Sequence, residues 1–193
     1  MNDLIFTVPV SYKDLNLNTT ELVSFAYDLK TKDTGRVLSN TGGWQSNDVD
    51  LTDLTLQPLC IEILKFAKDY CDLASFKKNL QILLTSGWFN INGYKDYNNT
   101  HDHPGCVISG VYYLQSNKDS GGITFLNPSN ILNWSWPDHI KEKYSNINSN
   151  AYNHQSIINR LILFPSWLRH YVQPNMDKQM ERISFSFNIS VTT

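Results

Sequence analysis

The chain has 193 residues, enough for one domain with a substantial core and too few to favour two full-sized ones. Sixteen Lys+Arg against 18 Asp+Glu give a formal charge of −2 without a basic run, which argues against a nucleic-acid binder. The opening MNDLIFTVPVSYKDL lacks the basic start and apolar run of a secretion signal, and no segment approaches the roughly 18 apolar residues of a membrane span, so a soluble, cytoplasmic protein without a membrane partner is expected.

In chain order, Leu4 to Val10 alternates loosely, with Pro9 near its end, and predicts an opening strand at a sheet edge. Asn18 or Thr19 can cap a helix whose apolar residues Leu22, Phe25, Ala26 and Leu29 recur at helical spacing. Gly42-Gly43, within Ser39 to Ser46 (SNTGGWQS), marks a loop. Pro58 suits a first helical position, and Leu59, Ile63, Phe66, Ala67, Tyr70 and Leu73 then trace a long amphipathic helix. Cys60 and Cys71 fall inside that pattern and read as core thiols. With Cys106 they form an odd set without a C-x-x-C pair, against a disulfide framework or a structural zinc site.

From Leu80 the pattern changes to short extended runs: Gln81 to Leu84, Gly87 to Asn92, Val107 to Leu114, Gly122 to Phe125, Leu161 to Phe164, Tyr171 to Gln173 and Ile183 to Val191. Their spacing predicts an antiparallel sandwich or barrel with helices packed outside a double-sheet core. Pro128 to Asn153, rich in Asn and Ser, reads as an insertion loop with a helical turn at Asp138 to Lys143; His139 and His154 within and beside it are expected to be exposed. The whole chain, 1–193, is expected to form one domain, in which 1–79 supports a β core at 80–193.

The chemistry concentrates in Thr100-His101-Asp102-His103. On an extended strand His101 and His103 share one face and Asp102 points away. His170, from a distant strand, would complete a facial set of three ligands with open positions, the arrangement non-haem iron uses to bind a co-substrate and dioxygen. In the last strand Arg182, Ser184, Ser186 and Asn188 fall on one face and Ile183, Phe185 and Phe187 on the other, so the polar face lines a cavity or meets water. An arginine fork pairs a carboxylate through two hydrogen bonds, Ser184 can add a third, and Tyr113 on a neighbouring strand a fourth.

These residues resemble those of the 2-oxoglutarate- and iron(II)-dependent oxygenases. More narrowly, the chain is similar to a group of such oxygenases found in tailed phages and marine bacteria. The likeness is carried by SNTGGWQS, Trp88-Phe89-Asn90, His101-x-His103-Pro104, Ser109 to Leu114 (SGVYYL), Phe164-Pro165-Ser166 and Arg182-Ile183-Ser184, and covers about Ser39 to Asn188. It implies a double-stranded β-helix, a cupin-like jelly roll that is mainly β with helices packed on one sheet. It also implies Fe(II), 2-oxoglutarate as co-substrate and O2, acting on an unidentified substrate, in a host cytoplasm if the origin is a phage. His101 matches the proximal iron ligand, His170 the distal one, and Arg182 with Ser184 the pair that holds the distal carboxylate. Tyr113 matches a co-substrate contact in some prolyl hydroxylases, and Gly121 to Phe125 matches their Gly-Gly-x-Thr-x-Phe strand.

One position departs from the superfamily, which usually carries His-x-Asp where this chain has His-x-His. Either His103 is the third ligand, as side-chain alternation favours, or a bulge rotates Asp102 inward. Competing assignments exist for the other residues. The paired histidines could be solvated, and Arg182 could pair with Glu181 or Asp177 on the surface. Trp44, Trp88, Trp134, Trp136 and Trp167 suit core or rim, and Asn90, Asn92 and Asn99 serve turns as readily as ligands. A non-catalytic metal-binding jelly roll, or a cupin-like enzyme using another divalent metal, would share the pattern. Oligomeric state is left open, a homodimer included.

Overall fold

The computed structural model describes residues 5–129 and 136–193, so Leu4 and Trp134 lie outside the described residues. In chain order it contains β1 (Ser11–Asp14), α1 (Thr19–Lys32), β2 (Asn40–Thr41), β3 (Trp44–Gln45), α2 (Gln57–Leu73), β4 (Gln81–Asn92), β5 (Tyr97–His101), β6 (Ile108–Gln115) and β7 (Gly122–Leu126). A 3-10 turn at Asp138–Ile140 follows, then β8 (Ala151–Gln155), β9 (Arg160–Pro165), β10 (His170–Val172) and β11 (Arg182–Thr192).

The strands form two antiparallel sheets, a large one ordered β1-β9-β6-β11-β4-β3 and a small one ordered β2-β5-β10-β7-β8. Sequence neighbours thus cross between sheets, as a jelly roll requires. Phe89, Ile91, Ile183, Phe185, Phe187 and Ile189 point away from the small sheet and form one core with Leu22 and Ala26 of α1 and Leu59, Ile63 and Ala67 of α2. Both helices therefore cover the outer face of the large sheet, and Cys60 and Cys71 are buried with them. A smaller core between the sheets contains Val111, Ile123, Phe125, Ile162, Phe164 and Leu168. No helix among the described residues is long and apolar enough to cross a membrane.

Several expected boundaries shift for identifiable reasons. The opening strand is Ser11–Asp14, not Leu4 to Val10: it pairs with β9 from Ser11↔Leu163 onward. Pro9 lacks an N–H for a ladder, and its carbonyl instead accepts from the Tyr70 hydroxyl at 3.0 Å. Asn18 is the helix cap, its side chain accepting from the Thr20 N–H at 3.1 Å. Gln81 to Leu84 and Gly87 to Asn92 are one strand, because β4 pairs with β11 along its whole length, and Gly87 within it is a point of close approach: a Cβ there would sit 2.4 Å from Cζ of Phe185. The tight turn between β2 and β3 needs both Gly42 (φ 67°) and Gly43 (φ 63°).

β5 and β8 lie outside the predicted extended runs, although the shared face assigned to His101 and His103 assumes extended backbone at the end of β5, and β8 occupies part of the supposed insertion. The helical turn there is only Asp138–Ile140, with His139 exposed. His154 corrects an expectation. It is half-buried, with its ring 5.4 Å from Tyr12 and 5.2 Å from Tyr152, because β8 extends the small sheet until it meets the edge strand β1 of the large one.

Candidate metal centre and its cavity

β5 ends on His101 and β10 begins on His170, and the two residues are register partners across the sheet. His103 lies two residues beyond β5, yet its main-chain N–H donates to the Ser166 carbonyl at 2.9 Å and holds it beside the turn that precedes His170. The ring centroids are 5.1 Å apart for His101 and His103, 4.4 Å for His101 and His170, and 5.2 Å for His103 and His170. One ring nitrogen from each lies within 4.8 Å of those of the other two. Among the described residues this is the only such grouping of three or more potential donors. Asp102 is exposed at the cavity rim and is not part of it.

Backbone carbonyls orient two of the rings. Nδ1 of His101 donates to the Asn99 carbonyl at 2.7 Å and Nδ1 of His170 to the Leu168 carbonyl at 2.8 Å. A carbonyl only accepts, so each Nδ1 carries the proton and each Nε2 keeps a free lone pair. Burial lowers all three basicities. His170 is pushed down to about 3 and His103 to about 4, by burial first and then by neighbouring imidazoles, and His101 is lowered by burial. At neutral pH the site offers three uncharged nitrogens, the form in which imidazole binds a metal. Phe164 packs 4.7 Å and Phe125 6.0 Å from the His170 ring and wall it from water.

The triad opens into a cavity of about 500 Å³. Its floor is the inner face of the large sheet, where Gln45, Asn90, Ser184 and Tyr113 stand in one register line across β3, β4, β11 and β6. Arg182, opposite Asn92, flanks that line. The residue is 1% exposed and forms no salt bridge among the described residues, with Asp96 the carboxylate whose charge it feels. Nη1 donates to the backbone carbonyls of Ser120 (2.5 Å) and Gln173 (2.7 Å). Surface pairing of Arg182 with Glu181 or Asp177 does not occur, since Glu181 bonds Tyr27 and Asp177 bonds Asn117.

Among the described residues, five buried side-chain atoms lack a hydrogen-bond partner: Arg36 Nε, Gln45 Oε1, Asn90 Oδ1, Tyr113 OH and Arg182 Nη2. All five belong to residues that line this cavity. Leaving a buried polar atom unpaired costs about 1–3 kcal/mol, so the concentration of such atoms here marks groups held ready for a ligand. Burial pushes the Tyr113 hydroxyl up to about 12 and lowers the Arg182 guanidinium from its ordinary value. Tyr113 OH and Arg182 Nη2 are therefore two donors awaiting an acceptor, and a carboxylate supplies one. Ser184 completes this corner. A divalent cation at the triad and an anion at Arg182 both fit what the residues offer.

The structure thus brings together His101, His103, His170, Arg182, Ser184 and Tyr113 around one cavity. Asn90 and Asn92, ambiguous in sequence, lie on a strand and face the cavity, while Asn99 supports the His101 ring through its carbonyl. Trp44 and Trp88 are buried, and Trp136 and Trp167 are exposed. Sequence reasoning missed Gln45 and Arg36. Gln45 sits in the SNTGGWQS segment, which local pattern reads as a loop and the resemblance marks without giving Gln45 a role, and nothing in periodicity distinguishes Arg36.

A family model described as "Putative 2OG-Fe(II) oxygenase" matches residues 86–188. No curated protein matches the sequence. Among solved structures, a Pseudomonas putida prolyl-4-hydroxylase aligns with a TM-score of 0.59 at 14% identity, covering 94% of this chain and 93% of that one. The viral collagen prolyl hydroxylase of Paramecium Bursaria Chlorella virus-1, in its 2OG complex, aligns at 0.58 and 12%, covering 95% and 96%. The epimerase SnoN, in complex with Fe3+, alpha ketoglutarate and nogalamycin RO, aligns at 0.68 and 13%, covering 95% and 79%. At these identities the likeness is one of fold, a jelly roll of two antiparallel sheets.

Proposed function

The chain belongs to the 2OG-Fe(II) oxygenase family, and from that premise we propose that it couples oxidative decarboxylation of 2-oxoglutarate to hydroxylation, or a related oxidation, of a second substrate. His101, His103 and His170 are the residues that would hold Fe(II), and Arg182, Ser184 and Tyr113 those that would hold the distal carboxylate of 2-oxoglutarate. When bound, the iron supplies the Lewis acidity and redox capacity that let dioxygen react with 2-oxoglutarate, releasing succinate and carbon dioxide. We read the whole chain as one oxygenase unit, in which residues 1–79 brace the large sheet and residues 80–193 carry the site. A cytoplasmic setting accords with three free cysteines.

One observation carries this reading: a buried arginine that forms no salt bridge and keeps an unpartnered Nη2 lines the same cavity as three converging neutral imidazoles. Each part has its task. Nδ1–H bonds to carbonyls fix the His101 and His170 rings and leave each Nε2 for a metal. Arg182, anchored through Nη1, keeps Nη2 for the carboxylate, and the Tyr113 hydroxyl, fully protonated at neutral pH, donates beside it. Three neutral ligands in place of two and a carboxylate leave the bound cation with more net charge, which favours holding the dianionic co-substrate.

Protein reconstituted with iron(II), ascorbate and 2-oxoglutarate should form succinate above the metal-free rate. It should also gain a 2-oxoglutarate-dependent rise in Tm that Arg182→Ala abolishes. His170→Ala should lose iron, read by elemental analysis. Metal binding without any response to 2-oxoglutarate would instead leave a metal-stabilised binding module.

A further inference from the structure

Resting on that reading of the cavity, we infer that the primary substrate presents a primary carboxamide, an uncharged edge with two N–H donors and one carbonyl, to Gln45, Asn90 and Arg36. 2-Oxoglutarate carries only acceptors. It can satisfy Arg182 Nη2 and Tyr113 OH, but it has no hydrogen to give Gln45 Oε1 or Asn90 Oδ1, both unpartnered on residues 3% and 5% exposed. The two side chains share one face of the sheet, because Gln45 and Asn90 are register partners across β3 and β4. The Asn90 amide is oriented by its Nδ2 donating to Ser186 Oγ at 3.2 Å, which leaves its oxygen for the cavity.

Arg36 completes the set. Its main-chain N–H donates to the Gln45 carbonyl at 2.8 Å, so it sits beside the pair, and its guanidinium lies 5.5 Å from the Trp88 ring centroid. Nη2 is engaged by Asp48 at 2.7 Å, while Nε is buried without a partner. The buried unpartnered atoms of this corner are two acceptors and one donor, to which a –CO–NH2 group is complementary. A carboxylate would place oxygens against oxygens, and an ammonium would leave Nε unmet. The Asp48 carboxylate already compensates the charge of Arg36, so the corner selects for a neutral group.

The test uses protein loaded with zinc(II), a redox-silent ion, and 2-oxoglutarate, titrated with acetamide, N,N-dimethylacetamide or acetate while the side-chain amide resonances of Gln45 and Asn90 are followed by NMR. Acetamide should shift both and bind about tenfold more tightly than N,N-dimethylacetamide, the value of roughly one hydrogen bond left unmade. Gln45→Met, similar in shape but without the acceptor, should lose that preference, and Gln45→Glu, which keeps the acceptor oxygens, should retain it. Equal binding of the two amides, a preference for acetate, or no acetamide binding overturns the inference. So does an Asn90→Asp variant that loses 2-oxoglutarate affinity with acetamide binding intact, for Asn90 would then be a donor to the co-substrate. Loading with 2-oxoglutarate is measured separately by thermal shift. Failure of that step counts against the oxygenase reading and not against the carboxamide corner.

Discussion

Alternate residues of β11 do opposite work. Ile183, Phe185, Phe187 and Ile189 are fully buried against the helices, whereas Arg182, Ser184, Ser186 and Asn188 line the cavity. On the first face every group is satisfied by packing: Phe185 lies 5.1 Å from Phe89, and Phe187 sits so close to Gly110 that a Cβ there would be 2.3 Å from its Cζ. On the second face Ser186 and Asn188 are hydrogen-bonded to the neighbouring strands, while Arg182 keeps a buried Nη2 without a partner. One strand thus holds a stabilising side and a side whose full hydrogen bonding awaits a ligand, separated only by the two-residue period.

Substitutions on the two faces should separate these roles. Phe187→Ala should cost about 3–5 kcal/mol of stability, read as a lower urea midpoint, and should abolish 2-oxoglutarate binding only through unfolding. Arg182→Leu should do the reverse. Affinity for 2-oxoglutarate should fall by about thirtyfold or more, roughly 2 kcal/mol, while the ligand-free protein loses less stability than with Phe187→Ala, since removing a buried cation offsets part of the cost of leaving the Ser120 and Gln173 carbonyls without their donor. A marked loss of ligand-free stability in that variant would erase the contrast.

A change of pH probes the opposite wall. The three imidazoles hold depressed basicities when folded and return to about 6.5 when unfolded, so below that pH the unfolded chain binds more protons and stability falls as pH falls. For His170 alone the loss between pH 6.5 and 5.5 is about 1 kcal/mol, seen as a lower Tm of metal-free protein, and His170→Phe should flatten the profile. The smallest effect belongs to Ser184→Ala. It should weaken 2-oxoglutarate by about fivefold, near 1 kcal/mol, without moving the Tm of the ligand-free protein.

Legibility in the sequence follows the same division. Helix-facing residues announce themselves through periodicity, so both helices and the long strands were readable, as was the polar face of β11. β5 and β8 were not, because YNNTH and AYNHQ carry little apolar alternation and depend on backbone pairing with neighbours on both sides or at the sheet edge. Alternation put His101 and His103 on one side. The structure reaches the same convergence by another route, with His103 outside the strand and tied to Ser166. Gln45 and Arg36 were illegible because their roles come from strand pairing distant in sequence, which no local pattern encodes.

His101 and His170 are partners in one ladder, yet about seventy residues separate them along the chain. An ion gripped by both, with His103, would act as a clasp that closes a long loop and bridges strands slow to find each other. Chelation would then do more than empty the centre: it would reopen the seam of the small sheet, and the rate at which the protein comes apart would report on metal supply.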